Sequence, residues 1–313
     1  MKQYQELLKN ITSNGVEKES GRANMPNTIG ISNALMSFKL SNGFPLLTTK
    51  KMFFNGIIHE LLWFMRGDTN IKYLVNNNVN IWNDDGYRWY LKQCKETEQN
   101  PVSQLDFIEI IRRESDLKEL SKIHFSNGYI FGDLGKVYGY QWRNQNGVDQ
   151  LSEVIEGLKT NHYSRYHIID GWNKADFPEM ALPPCHLLYQ FISRPKGDGT
   201  FYLDLNMYQR SCDTFLGVPF NIASASLFLM IIAKASNMEA GVFNWIGGDT
   251  HLYVTHAEQV KEQLSREPME LPTLIIRKDI KSLNDIENLT ISDFVLENYN
   301  FHPAIKADLS VGL

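Results

Sequence analysis

Hydrophobic and polar positions follow two different periods along this chain. From Met52 to Arg66 (MFFNGIIHELLWFMR) apolar residues fall at 54, 57, 58, 61, 62 and 65, the spacing of one helix face. Gly67-Asp68 ends that run. Glu60 lies off the stripe, with Trp63 and Phe64 one turn later. The longest apolar stretch, Phe215 to Ala233, predicts a buried helix starting near Pro219, because Pro suits a first helical turn. Pro219, Asn221 and the Ser and Gly residues in it make it too polar for a membrane span. His256 to Arg266 is amphipathic and ends before Pro268.

Other segments alternate with period two. Tyr166 to Trp172, Leu187 to Ser193, Phe201 to Gln209 and Thr273 to Arg277 are predicted strands. In the third, Leu203, Leu205 and Met207 share one face, and Asp204, Asn206, Tyr208 and Arg210 share the other. Helices and strands interleave without a regular βαβ beat, so the expected fold class is α+β with one main sheet. Residues 84–129 differ in character. KQCKETEQNPVSQ is polar, and DFIEIIRRESDLKELSK is a charged amphipathic helix candidate. This region is expected to be a surface insertion of the same domain; the alternative is a small helical interaction module.

Charge and composition narrow the function classes. The 313 residues carry 31 Lys and Arg against 36 Asp and Glu, a formal charge of −5. No basic footprint for nucleic acid covers the chain, so any phosphate must be met by locally gathered arginines. An aromatic share of 12% supplies a large core and surfaces for stacking on a flat ligand. Three Cys cannot build a disulfide framework, and the odd count fits a reducing compartment. MKQYQELLKNITSNG has no apolar run after its lysine, so no signal peptide is expected. A cytoplasmic location without nucleic-acid or membrane partners is the expectation.

Three clusters could carry chemistry. Cys185 follows two prolines in MALPPCH, at the entrance of a strand, where Pro costs no ladder bond. The ordinary alternative is a small buried hydrophobe, and a reactive thiol needs a positive neighbour. His186 is adjacent, but neighbouring strand residues point to opposite faces, which disfavours a Cys–His pair. Gln209-Arg210-Ser211-Cys212-Asp213 follows a strand and offers an anion site, since Arg presents a rigid fork of donors; a surface salt bridge is the alternative. In GGDTHLY, His251 and Tyr253 are two apart and share a face if extended. His251 and His256 do not have the spacing of a metal pair, and no metal is expected. There is no GxGxxG fingerprint and no P-loop.

Together these segments resemble the thymidylate synthase family. The matching stretches are GFPLLTTKK (Gly43 to Lys51), HELLWF with GDTNI (His59 to Ile71), GDLGKVYGYQWR (Gly132 to Arg143), MALPPCH, YQRSCDTFLGVPFNIAS (Tyr208 to Ser224), GGDTHLY and HPAIK (His302 to Lys306). The resemblance implies a single catalytic domain, residues 1–313, on one large mixed β-sheet with flanking helices. It implies one-carbon transfer from the co-substrate methylenetetrahydrofolate to ring carbon 5 of dUMP. In that reading Cys185 is the thiolate that adds to ring carbon 6 and makes carbon 5 nucleophilic. Glu60 and Tyr138 organise proton movement. Asn221 reads the base, because a carboxamide matches uracil's adjacent NH and carbonyl. Arg22, Arg165, Gln209, Arg210 and Ser211 serve the nucleotide and its phosphate, with His251 and Tyr253 on the sugar hydroxyl. Trp82 and Asp213 hold the folate. The resemblance also implies a homodimer whose subunits share arginines, Arg165 among them.

The chain departs from the family pattern at several places. Tyr166 stands where a second arginine is usual after Ser164. The phosphate loop reads Arg22-Ala-Asn-Met-Pro-Asn-Thr28, with its arginine one place early. Ala225 replaces the usual Tyr, Asn83 the usual Asp, and the tail is Ala307 to Leu313. A tail that closes poorly admits water, which would turn the methylene intermediate into hydroxymethyl-dUMP. A dUMP hydroxymethylase is therefore the second expectation. A catalytically dead binding subunit is a third, which the intact Cys185 and Arg210 oppose.

Overall fold

The computed structural model describes residues 1–21 and 25–307. In chain order the helices are α1 (Lys2–Asn14), α2 (Phe54–Met65), α3 (Lys72–Asn76), α4 (Asn83–Glu96), α5 (Gln104–Arg113), α6 (Leu117–Leu120), α7 (Tyr138–Asn144), α8 (Gln150–Thr160), α9 (Gly217–Ala235), α10 (Ala257–Leu264) and α11 (Leu283–Glu287). The strands are β1 (Val16–Lys18), β2 (Thr28–Lys39), β3 (Ile168–Asp170), β4 (His186–Pro195), β5 (Phe201–Asp213), β6 (Glu239–Tyr253), β7 (Thr273–Ile276) and β8 (Phe294–Glu297). The chain groups into two compact units. Among the described residues, the first holds 1–58 (22–24 aside), Gln150–Asp170 and 185–307; the second holds His59–Asp149 and Gly171–Pro184.

The first unit contains a six-stranded sheet in the order β1-β2-β6-β5-β4-β3. The β5–β6 pair is parallel and the other pairs are antiparallel, so the sheet is mixed and the fold class is α+β as expected. One face buries Leu203, Leu205 and Met207 of β5 and Phe243 and Trp245 of β6, all at 0% exposure. Helix α9 packs on β5 and β6. It is apolar and long enough to cross a bilayer, with a mean hydropathy of 1.6. Its Ile222, Leu227, Phe228, Ile231 and Ile232 are nonetheless wholly buried, as in a core helix. Pro219 sits in its first turn.

Several boundaries differ from the sequence expectation. Strand β5 runs to Asp213, so Gln209 to Asp213 lie on the strand rather than after it. Strands β2 and β6, of 12 and 15 residues, are missing from the period-two reading. Their alternation is masked by Gly30, Gly241, Gly247 and Gly248, which have no side chain to mark a face. Gly67 takes φ +71 just after α2, a conformation glycine adopts without strain, and it stops the helix as expected.

In the second unit, the stretch from Asp106 to Lys122 carries two helices, α5 and α6, where one was expected, and α4 covers 84–96 ahead of them. Asp116 caps α6 by accepting from the Glu119 N–H, which favours a new start there over continuation. The segment is not only surface. Tyr90 stacks on Phe107 at 4.9 Å, and Phe131 meets both rings near 5 Å. The buried ammonium of Lys72 donates to the carbonyls of Ile111 and Glu114 at 2.7 and 2.5 Å, a cation at the C-terminal end of α5.

Candidate active site

In the first unit, the β4–β5 ladder presents Cys185. The thiol is half-buried and outside any disulfide. Its carbonyl accepts the Arg210 backbone N–H at 2.8 Å, tying the strand entrance to the expected anion-binding residue. Cys212, two residues past Arg210, is wholly buried, and burial pushes its thiol up to about 12. It stays protonated, so it is no competing nucleophile.

Gln209, Asn221 and Trp245 form a chain whose polarity is fixed. The Trp245 indole can only donate, and its Nε1 reaches Gln209 Oε1 at 2.9 Å. The Gln209 Nε2 must therefore be the other branch of the amide. It donates to Asn221 Oδ1 at 2.9 Å and to the Ser211 carbonyl at 3.1 Å. Gln209 is 2% exposed, so it orients Asn221 from within rather than meeting a ligand in the open. The amide of half-buried Asn221 thus keeps Oδ1 toward Gln209 and Nδ2 on its other branch.

His251 and Tyr253 share a face of β6, with ring centroids 5.5 Å apart. His251 Nδ1 lies 3.2 Å from the Asp249 carbonyl. Asp213, paired with His251 across β5–β6, accepts the Phe215 and Leu216 N–H groups on Oδ1 at 3.1 and 3.2 Å. This turns the chain into α9. Beside it lies a residue absent from the expected site, Lys50. It is 4% exposed, donates to the Phe215 carbonyl at 2.6 Å and sits 3.7 Å above the Phe215 ring. Burial lowers it to about 7, against the opposing pull of Asp213. The only sequence signal was a lysine in TTKK following an apolar run.

In the second unit, Glu60 projects from α2 toward Trp82. The Trp82 indole donates to Glu60 Oε1 at 2.8 Å. Trp82, 6% exposed, also packs against Trp63, Phe64 and Tyr138. Tyr138 stacks on Phe64 at 4.8 Å. Desolvation by this aromatic wall pushes Glu60 up to about 7, opposed by the Trp82 bond. A carboxyl poised there can both take and give a proton at neutral pH.

Not every expected residue joins these clusters. Arg165 is exposed in the turn before β3, its carbonyl 3.4 Å from Gln190 Nε2. Arg22 and residues 308–313 of the tail lie outside the described residues. Among the described residues no group of three His, Cys, Asp or Glu could hold a metal.

Comparison with known proteins matches the thymidylate synthase family model over residues 2–311. The thymidylate synthase of Malacoplasma penetrans (strain HF-2) is 45% identical over 313 residues, 99% of this chain and 100% of that protein. That of Mycoplasma mobile is 47% identical over 312 residues with the same coverage. That of Listeria monocytogenes serotype 4b (strain CLIP80459) is 42% identical over 329 residues, again 99% of this chain and 100% of that protein. A match that runs through both units, at 42 to 47% identity to relatives covered end to end, places the chain in the thymidylate synthase family.

Proposed function

We propose that this chain is a thymidylate synthase, converting dUMP to dTMP with methylenetetrahydrofolate as co-substrate. The observation that carries this reading is the Trp245–Gln209–Asn221 chain. It holds a carboxamide with a donor and an acceptor in known places, the pattern that uracil's C4 carbonyl and N3–H require.

The Cys185 thiolate adds to ring carbon 6 of the nucleotide, and charge moves onto the C4 oxygen. An Asn221 already oriented stabilises that charge without reorganisation. Arg210 and Ser211 meet the phosphate, and His251 and Tyr253 the sugar hydroxyl. Glu60, near neutrality, moves the protons through which the covalent adduct forms and collapses. Methylenetetrahydrofolate supplies a one-carbon unit and then a hydride. Asp213 suits the donors of its pterin, since its carboxylate is held in place by backbone N–H groups. Trp82 offers it an aromatic surface.

The hydroxymethylase alternative is not favoured, because the relatives described are thymidylate synthases. The chain acts as a homodimer in the cytoplasm. Supporting the dimer, Leu35, Ile246, Tyr208 and Leu188 pair in one row across β2, β6, β5 and β4. They face away from the core, with Leu35 68% and Tyr208 39% exposed. A second copy would cover them and bring Arg165 to its phosphate site.

Mass spectrometry of the nucleotide product, with dihydrofolate followed by absorbance, tests the reading. dTMP and dihydrofolate should form in equal amounts. Hydroxymethyl-dUMP without dihydrofolate would sink it.

A further inference from the structure

Strand β4 begins with an irregularity. Its register against β5 pairs His186 with Gln209 and then Leu188 with Tyr208, two steps on β4 against one on β5. The extra residue, Leu187, is a β-bulge. In a regular strand, residues three apart face opposite sides. Here the bulge turns His186 to the same side as Tyr189, and both are buried, at 8% and 3% exposure.

The two side chains meet. Tyr189 Oη lies 2.5 Å from His186 Nδ1, and the rings cross edge to face at 5.9 Å and 80°. Phe228 of α9 holds the tyrosine ring at 5.6 Å and 90°. Desolvation lowers His186 to about 3, so the imidazole is neutral and carries its single proton on one nitrogen. A phenol is a strong donor and a weak acceptor, whereas a bare imidazole nitrogen is a strong acceptor. The short contact is therefore O–H to Nδ1, which leaves the proton on Nε2.

We propose that Tyr189 is a positioning residue, whose hydroxyl locks His186, the chain neighbour of Cys185, into one neutral tautomer that presents Nε2–H. The inference rests on the reading of Cys185 as nucleophile. Its consequence lies in the reacting state. His186 pairs across the ladder with Gln209, which orients Asn221. A reversed tautomer would exchange the donor and the acceptor that the imidazole presents. Donors that must reorient during the reaction stabilise developing charge less well than fixed ones. The loss should fall on kcat rather than on KM.

Nitrogen NMR of histidine-labelled full-length protein tests the lock at neutral pH. The His186 signal is identified by its absence in His186→Gln. The wild type should show Nε2 protonated and Nδ1 bare. Tyr189→Phe should show a mixture of tautomers, a kcat lower by about tenfold, the scale of one lost hydrogen bond, and a KM for dUMP changed by less than about twofold. A wild-type His186 protonated on Nδ1 overturns the proposal. So does a Tyr189→Phe protein that keeps one tautomer or keeps its kcat. If Tyr189→Phe does not fold, the wild-type tautomer alone decides. A wild type with the expected tautomer that forms no dTMP would defeat the proposed function and leave the lock standing.

Discussion

Trp82 donates its indole N–H to the carboxylate of Glu60 at 2.8 Å, inside a wall of Trp63, Phe64 and Tyr138. Two opposing effects meet at this oxygen. Desolvation favours the neutral acid, and the indole favours the anion. Desolvation is the larger, so Glu60 rests near 7. Trp82→Phe keeps most of the packing and removes the donor. The Glu60 pKa should then rise further, by about one unit for one such bond. The corresponding limb of the pH profile of kcat/KM should move upward; an unmoved limb would detach Glu60 from that limb.

Glu60 also carries a stability signature. Its folded pKa is raised, so between about 4.5 and 7 the folded state binds more protons than the unfolded state. Stability from this group therefore falls as pH rises through that window. Glu60→Gln should be inactive yet more stable than wild type at pH 8, by roughly 3 kcal/mol, with the difference vanishing near pH 4. Urea unfolding at the two pH values measures this.

Lys50 has the opposite sign. Its folded pKa is lowered to about 7 by burial, so above that pH the unfolded state binds the extra proton. Wild-type stability should rise relative to Lys50→Met between pH 7 and 10, by roughly 2–4 kcal/mol in all. Paired denaturation curves read this difference, and a flat one would mean that Lys50 stays charged.

Gln209→Leu removes the link between Trp245 and Asn221. The variant leaves a buried indole donor unpaired, costing about 1–3 kcal/mol of stability. Asn221 becomes free to flip. The ratio of kcat/KM for dUMP over dCMP should fall by about tenfold, the scale of one misplaced hydrogen bond. Steady-state kinetics with both nucleotides checks it.

Leu35→Asp would place a charge in the exposed apolar row formed with Ile246, Tyr208 and Leu188. Burying an unpaired carboxylate in a subunit interface is costly. On the proposed dimer, sedimentation should find a dimer for wild type and a monomer for the variant, and the monomer should lose activity.

Local order was legible from residue order wherever one rule governs one segment. The apolar stripe of α2, the Gly67 stop, the Pro219 start of α9 and the buried face of β5 all follow from side-chain periodicity and backbone sterics. The motifs around Cys185, Asn221 and His251 carried the family resemblance. Tertiary structure decided what depends on partners distant in the chain. Strand β6 is revealed by its pairing with β2 and β5, because glycines leave its faces unmarked. The near-neutral values of Glu60 and Lys50 come from burial in a fold that brings distant residues against them, Trp82 against Glu60 and Phe215 against Lys50. The direction of the Asn221 amide is set by Trp245, and the facing of His186 by a bulge that appears only in the ladder with β5. Periodicity is a property of neighbours along the chain, whereas burial, register and hydrogen-bond polarity belong to neighbours in space.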